Sequence, residues 1–123
     1  MSNFITLEDL DAAVQNQFAP LKFVAGDEEF HLRNVLRLSP KERKTVLELL
    51  KNLDDARRAE ESGESVDVES VVETIETILK TVVADGKGNK LSKVLGGDLG
   101  RCQALFQKWA EVTQSGEAQN SPA

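Results

Sequence analysis

The sequence has little of what most protein chemistry requires. Its 123 residues include one cysteine, one histidine and no tyrosine. A single cysteine excludes a disulfide within the chain and a zinc site built from several thiolates. No apolar run follows a basic N-terminal segment, and none approaches the ~20 residues of a membrane span. We therefore expect a cytosolic protein with neither a signal peptide nor a membrane anchor.

Concentrated positive charge is also missing. The net charge is −6, the isoelectric point is about 4.8, and no segment forms a basic stripe. Binding to a phosphate backbone needs clustered lysine and arginine, so nucleic acid is not an expected partner. The negative charge favours solubility and suits a basic protein partner. By length the chain is one domain with a modest core.

What the sequence does have is well-marked helices. In "LSPKERKTVLELLKNLDD", Ser39 and Glu42 predict a capping box, and Pro40 falls at the expected first helical position. The apolar face that follows is Val46, Leu47, Leu49, Leu50 and Leu53. The pattern predicts a helix that ends within "ARRAEESGES", where Gly63 breaks the helical conformation.

Two further helices follow. "VDVESVVETIETILKTVVADG" predicts a helix capped by Ser65 or Asp67 and ended by Asp85-Gly86. A glycine-punctuated connector holds one or two turns around Leu91, Val94 and Leu95. A last helix begins near Leu99 and is closed by Gly116.

The N-terminal third combines a short helix and a hairpin. Thr6 and Asp9 predict a capping box for "TLEDLDAAVQNQ", after frayed residues 1–5. Alternation on both sides of Gly26-Asp27 predicts a β-hairpin near 21–33. The expected fold is therefore mainly α: a small helical domain of about four helices with one N-terminal hairpin, spanning 1–113. Residues 114–123 are small and polar, and we expect a flexible tail.

The residues that could carry chemistry have simpler interpretations. Alternation turns His31 away from the Phe30/Leu32 face, which predicts a solvent-facing strand residue rather than a catalyst or ligand. Cys102 lies on an apolar helix face, which predicts a buried structural thiol. "DGKGNK" at Asp85 lacks the ending of a phosphate loop and the ligand spacing of a calcium loop. We predict a protein that is not an enzyme and binds no cofactor, metal or small-molecule substrate.

Two apolar stripes are candidates for binding a partner. The stripe on the Val68–Val83 segment is wide for so small a domain, and Phe106 and Trp109 share one face of the last helix. For both stripes the competing interpretation is packing inside this chain, for example against the Val46–Leu53 face. The interface prediction comprises Val68, Val72, Ile75, Leu79, Val82, Phe106 and Trp109.

The order of these features resembles a known family. "LDAAVQNQFAPLKFVAGDEEFHLRNVLRLSPKERKTVLELLKNLDD" and "LSKVLGGDLGRCQALFQKWAEVTQSGEA" are similar to the small tail assembly chaperones of long-tailed bacteriophages, especially those infecting actinobacteria. The similarity runs from about Leu10 to Ala118. It is carried by a hairpin followed by an "LSPKER"-like helix start and by helices rich in leucine and valine.

The resemblance implies a non-enzymatic assembly factor. Members of that family bind the long helical tape-measure protein and keep it soluble until the tail tube forms around it. They are made as a short product, which this chain would be, and as a longer frameshifted form. Several copies on one tape measure imply a homo-oligomer. The protein is expected in the host cytoplasm and not in the mature virion.

Other functions remain open from the residues alone. A small acidic helical phage protein could bind a host regulatory protein and occupy its nucleic-acid groove. It could also be a structural head or tail connector that stays in the particle. Nucleic-acid binding is a third possible function, and a basic surface patch in the folded chain would favour it.

Overall fold

The computed structural model describes residues 3–120, apart from the side chains of 15–16 and 114–120. This part of the chain is mainly α with one antiparallel hairpin, as the sequence predicts. In chain order the elements are α1 (Leu7–Gln17), β1 (Leu21–Ala25), β2 (Glu28–Leu32), a 3₁₀ turn (Val35–Arg37), α2 (Pro40–Glu61), α3 (Val68–Val82), α4 (Gly88–Leu95) and α5 (Leu99–Asn120).

The start of α2 is the predicted capping box. The Ser39 hydroxyl accepts from the Glu42 backbone N–H at 3.2 Å, and the Glu42 carboxylate accepts from the Ser39 backbone N–H at 3.2 Å. The pKa of the Glu42 carboxyl is lowered, first because it accepts the Ser39 backbone N–H and also because Arg33 lies beside it. Two of the orphan donors at this helix end are thereby satisfied.

The end of α2 falls inside the predicted segment "ARRAEESGES". The helix continues to Glu61 and stops before Gly63, the predicted breaker. Arg57 pairs with Asp54 at 2.7 Å and with Glu61 at 3.3 Å, which are neighbours one turn away on the same helix face. The chain then leaves the helix at Gly63, whose φ of 86° is open to glycine.

The hairpin has the predicted register and is extended at one edge. Phe23 lies opposite Phe30, and Leu21 lies opposite Leu32. The helix α3 ends at Val82, before the predicted Asp85-Gly86, because Val83 is extended and forms a bridge with Leu32. The two sides are joined further by hydrogen bonds between β2 and the end of α3: His31 O accepts from Ala84 N at 2.8 Å, and Val82 O accepts from Arg33 N at 3.0 Å.

Arg33 fixes the hairpin to the helices. Its guanidinium donates to Val82 O at 3.0 Å and to Thr81 O at 2.9 Å, so it satisfies carbonyls in the last turn of α3. It also pairs with Glu42 at 3.3 Å in the first turn of α2. One side chain therefore joins β2, α2 and α3.

The C-terminal third contains one more helix than the sequence suggests. The turns around Leu91 form a full helix, α4, in which Leu91 and Leu95 are buried and Gly96 adopts the left-handed cap at φ 60°. The backbone of α5 runs past Gly116 to Asn120. Of the predicted flexible tail, 121–123 and the side chains of 114–120 lie outside the described residues.

Candidate protein-interaction surfaces

Most of the predicted interface lies inside the chain. Val72, Ile75, Leu79 and Val82 are at most 8% exposed, because α3 packs against α2, α4 and α5. Trp109 is completely buried. These five positions therefore need correction: the wide stripe of α3 is the core of this domain, and its width reflects three neighbours rather than a missing partner.

Trp109 illustrates why helical spacing alone could not separate core from surface. Its indole N–H donates to Arg33 O at 2.9 Å, and its ring lies 5.8 Å from that of Phe106. A buried tryptophan needs such an acceptor, and the hairpin supplies it from 76 residues away. Phe106, three residues earlier, is only half-buried.

Val68 and Phe106 are the two predicted interface residues that remain accessible. Val68 is 54% exposed in the first turn of α3. Phe106 lines a groove of about 690 Å³, which we call the three-helix groove. It lies between α2, α3 and α5. Its apolar lining comprises Leu53, Ala56, Val66, Val71, Ile75, Phe106 and Ala110, and its polar lining comprises Arg57, Glu60, Glu61, Gln103 and Gln107.

The three-helix groove continues towards Val68. A second depression of about 410 Å³ shares Val66, Val71 and Gln103 with it and adds Val68 and Leu99. The two accessible residues therefore border one extended apolar surface. Alanines at 56 and 110 contribute to the depth of this surface, because small side chains on α2 and α5 leave space between the helices.

A separate groove lies on the opposite side of α5, against the hairpin. We call it the hairpin groove. It encloses about 430 Å³ and is lined by Phe23, Val94, Leu95, Arg101, Ala104, Leu105 and Lys108. The Phe23 ring, which stacks on Phe30 at 5.8 Å, forms its hairpin wall. Arg101 and Lys108 are both exposed and supply its charge.

The most exposed apolar side chains belong to the N-terminal arm, which we define as residues 3–17. Phe4, Ile5, Leu7 and Leu10 are 74%, 62%, 72% and 47% exposed. Every side chain from 3 to 13 is exposed. The helix α1 has the predicted capping box, in which Thr6 accepts from Asp9 N at 3.1 Å. The sequence-based interface prediction missed this segment, although the uncovered apolar residues Phe4 and Ile5 beside Leu7 and Leu10 were a visible signal.

The single cysteine and the single histidine do not form a reactive pair. Cys102 is fully buried, as predicted, and burial raises the pKa of its thiol, with Glu76 and Asp98 acting in the same direction. A thiol held in this protonated form is a poor nucleophile. His31 is half-buried in β2, opposite Lys22, rather than fully solvent-facing. Among the described residues no group of three His, Cys, Asp or Glu side chains is placed to hold a metal ion.

Membrane insertion finds no support in the described helices: within residues 3–120, none combines the length and the apolar character that a membrane span requires.

The fold and its surfaces define a class of protein. A small acidic helical domain with two apolar grooves and an uncovered amphipathic arm has surface features that are typical of protein-interaction domains. The family model of the mycobacteriophage tail assembly proteins matches residues 1–118, and the chain belongs to that family. No curated protein and no solved structure matches it. The resemblance to phage tail assembly proteins is thereby confirmed, and the chain has a role in tail assembly.

Proposed function

We propose that this protein is a non-enzymatic tail assembly chaperone that binds the tape-measure protein. It keeps that long helical client soluble in the host cytoplasm while the tail tube forms, and it is absent from the mature virion. Several copies occupy one client, together with copies of a longer frameshifted form of the same chain. Membership of the tail assembly family supports a structural or chaperone role.

The observation that carries the proposal is the three-helix groove. An amphipathic client helix binds by laying its apolar face into an apolar groove between helices. The lining of this groove is mainly apolar at its floor and polar at its rim, with Glu60, Glu61 and Arg57 around the opening. Because the rim carries both positive and negative side chains, it should determine how a client helix is positioned along the groove more than it increases affinity.

The net charge of the chain supports the second half of the task. A protein that covers apolar client surface must itself stay soluble, and a net charge of −6 on 123 residues favours that. Arg57 pairs with Asp54 and Glu61 on α2, and these ion pairs hold charged side chains in place beside the groove. Exposed pairs of this kind contribute little to stability.

The test is binding of helical segments of the phage tape-measure protein to purified variants. Gln103→Trp places a large side chain at an exposed position shared by the groove and its extension, so it fills the binding surface without disturbing the core. Val68→Asp places a charge at the exposed first position of α3, where the helix dipole tolerates an acid. We expect each variant to weaken binding about tenfold, the loss of about 1.4 kcal/mol typical of an interface residue.

The matched control is Leu47→Asp. Leu47 is 51% exposed on α2 and lines neither groove, so this variant adds the same charge at a comparable helical surface. We expect it to bind as the unaltered protein does. Equal binding by all four proteins would remove the three-helix groove from the proposal, and no binding of any tape-measure segment would remove the chaperone function itself.

A further inference from the structure

The N-terminal arm is a helix without a surface to lie on. An isolated helix of 11 residues is marginal in water even when capped, so α1 needs packing to be stably formed. Its apolar side chains instead face solvent, from Phe4 at 74% exposure to Leu10 at 47%. The arm therefore presents an apolar stripe that this copy of the chain leaves uncovered.

The stripe has a definite charge pattern. Between residues 3 and 17 the chain has three acidic residues, Glu8, Asp9 and Asp11, and no lysine or arginine. On the helix, Asp11 lies one turn beyond Leu7 on the same face, and Glu8 lies about 100° around the helix from Leu7. An occupant of this kind brings apolar side chains with carboxylates beside them.

The hairpin groove has the complementary pattern. Its floor is apolar, formed by Phe23, Val94, Leu95 and Leu105, and its charged residues are the two cations Arg101 and Lys108. Among the described side chains neither cation has a carboxylate within 4.0 Å; Arg101 donates one N–H to Val94 O at 3.0 Å and keeps others for a partner.

We propose that the N-terminal arm of one copy docks in the hairpin groove of a second copy. Leu7 and Leu10 enter the apolar floor, and Glu8 and Asp11 pair with Arg101 and Lys108. The proposal rests on the proposed function for its purpose, since a chaperone that covers a long client needs contacts between neighbouring copies. The contact itself requires no client.

The geometry of such a contact determines the kind of assembly. The arm and the hairpin groove are different surfaces, so each copy donates one arm and receives another. When the arm goes to one neighbour and the groove receives the arm of another, the contact is heterologous and produces open arrays or rings; reciprocal exchange of arms between two copies would instead close a two-fold dimer. The three-helix groove lies on other faces of α5, including Phe106 and Ala110, and stays available to the client in every copy.

The first test is sedimentation of the full chain over a range of concentrations without client. We expect the unaltered protein to form a concentration-dependent series of species that extends beyond the dimer. Leu7→Asp/Leu10→Asp in the arm and Ala104→Trp in the groove should each leave a monomer. Both sets of positions are exposed, so circular dichroism should show the same fold. A strictly monomeric unaltered protein, or assembly that survives both variants, would overturn the proposal.

Mixing the two variants sharpens the test. The arm variant keeps an intact groove, and the groove variant keeps an intact arm, so one productive contact remains between them. We expect an equimolar mixture to give a heterodimer and nothing larger. A mixture that stays monomeric would contradict a contact between copies and would indicate instead that each arm folds onto its own groove.

Charge reversal identifies the polar half of the contact. Arg101→Glu/Lys108→Glu should abolish assembly, and combining it with Glu8→Lys/Asp11→Lys should restore it. Failure to restore assembly would refute the pairing. Val68→Asp alters the surface proposed for the client and should assemble normally. If the unaltered protein assembles but binds no tape-measure segment, the proposed function fails and this inference stands. If it binds the client but stays monomeric, this inference fails and the proposed function stands.

Discussion

The helices α3 and α1 have similar sequence patterns, but the apolar face of α3 is buried and that of α1 is exposed. Both begin at a side-chain cap, and both carry aliphatic residues at steps of three and four. Ile78, Leu79 and Val82 of α3 are completely buried, whereas Leu7 of α1 is 72% exposed. Helical periodicity therefore defines an apolar face without saying what covers it.

The difference lies in what the rest of the chain brings to each face. Three helices close over α3, and Arg33 holds its last turn against the hairpin. The described side chains leave α1 open along its whole first half. In a tail assembly protein, the face left open is the better candidate for contacts with other chains.

The largest effect should come from placing a charge on the covered face. Ile75 is 3% exposed, so Ile75→Asp buries a carboxylate without a partner and should cost about 4 kcal/mol or more. We expect loss of cooperative thermal unfolding by circular dichroism. The matched change Leu10→Asp on α1 should alter the free energy of unfolding by about 0.5 kcal/mol or less. Equal destabilisation by the two variants would break the contrast.

Replacing a leucine by alanine should also distinguish the buried face of α3 from the exposed face of α1, with a smaller difference in the free energy of unfolding. Leu79→Ala removes a fully buried side chain between packed helices and should cost about 2–5 kcal/mol. Leu7→Ala on the exposed face should leave the denaturant midpoint unchanged when the protein is dilute enough to be monomeric. A clear shift for Leu7→Ala under those conditions would mean that α1 packs on its own chain.

Removal of the Arg33 side chain tests what holds α3 in place. Arg33→Met keeps the apolar stem and the backbone N–H that donates to Val82 O, but it removes the guanidinium hydrogen bonds to Thr81 O and Val82 O. We expect a loss of about 2 kcal/mol. Arg37→Met, an exposed arginine in the 3₁₀ turn, is the control and should be neutral. If both substitutions were neutral, packing alone would position the end of α3.

Much of this fold could be predicted from local signals. Capping boxes at Thr6 and Ser39, and alternation around Gly26, depend on residues two or three apart, so the sequence displays them directly. The end of α3 could not be predicted in this way. It depends on Val83 bridging to Leu32, a contact between residues 51 apart in the chain that no local pattern records.

The interface was harder to predict for the same reason. Val72 and Leu79 look like an exposed seam until α4 and α5 are placed against them. Val68, at the margin of that stripe, and Phe106, on α5, are the predicted residues that remain accessible, and both border the three-helix groove or its extension. Grooves depend on which small residues face one another across helices, and this is a property of tertiary structure.

A moderate effect is expected at the cap of α2. Ser39→Ala removes the hydroxyl that accepts the Glu42 N–H and should lower the free energy of unfolding by about 1 kcal/mol. Ser39→Asp keeps an acceptor at the same position and should restore most of that stability. Thermal unfolding of the three proteins measures the difference; no change in Ser39→Ala would show that the first turn of α2 is held by Arg33 and Glu42 instead.

The smallest effect on global stability should come from the equivalent change in α1. Thr6→Ala removes the same kind of hydroxyl from the same kind of box, yet α1 adds little to the core, so global unfolding should change by about 0.5 kcal/mol or less. Local hydrogen exchange at the first amides of α1 should nevertheless accelerate. The cap is thus expected to stabilise the N-terminal arm without stabilising the domain. A global loss as large as that of Ser39→Ala would show that α1 is part of the folding unit, and it would leave no free arm to reach a second copy.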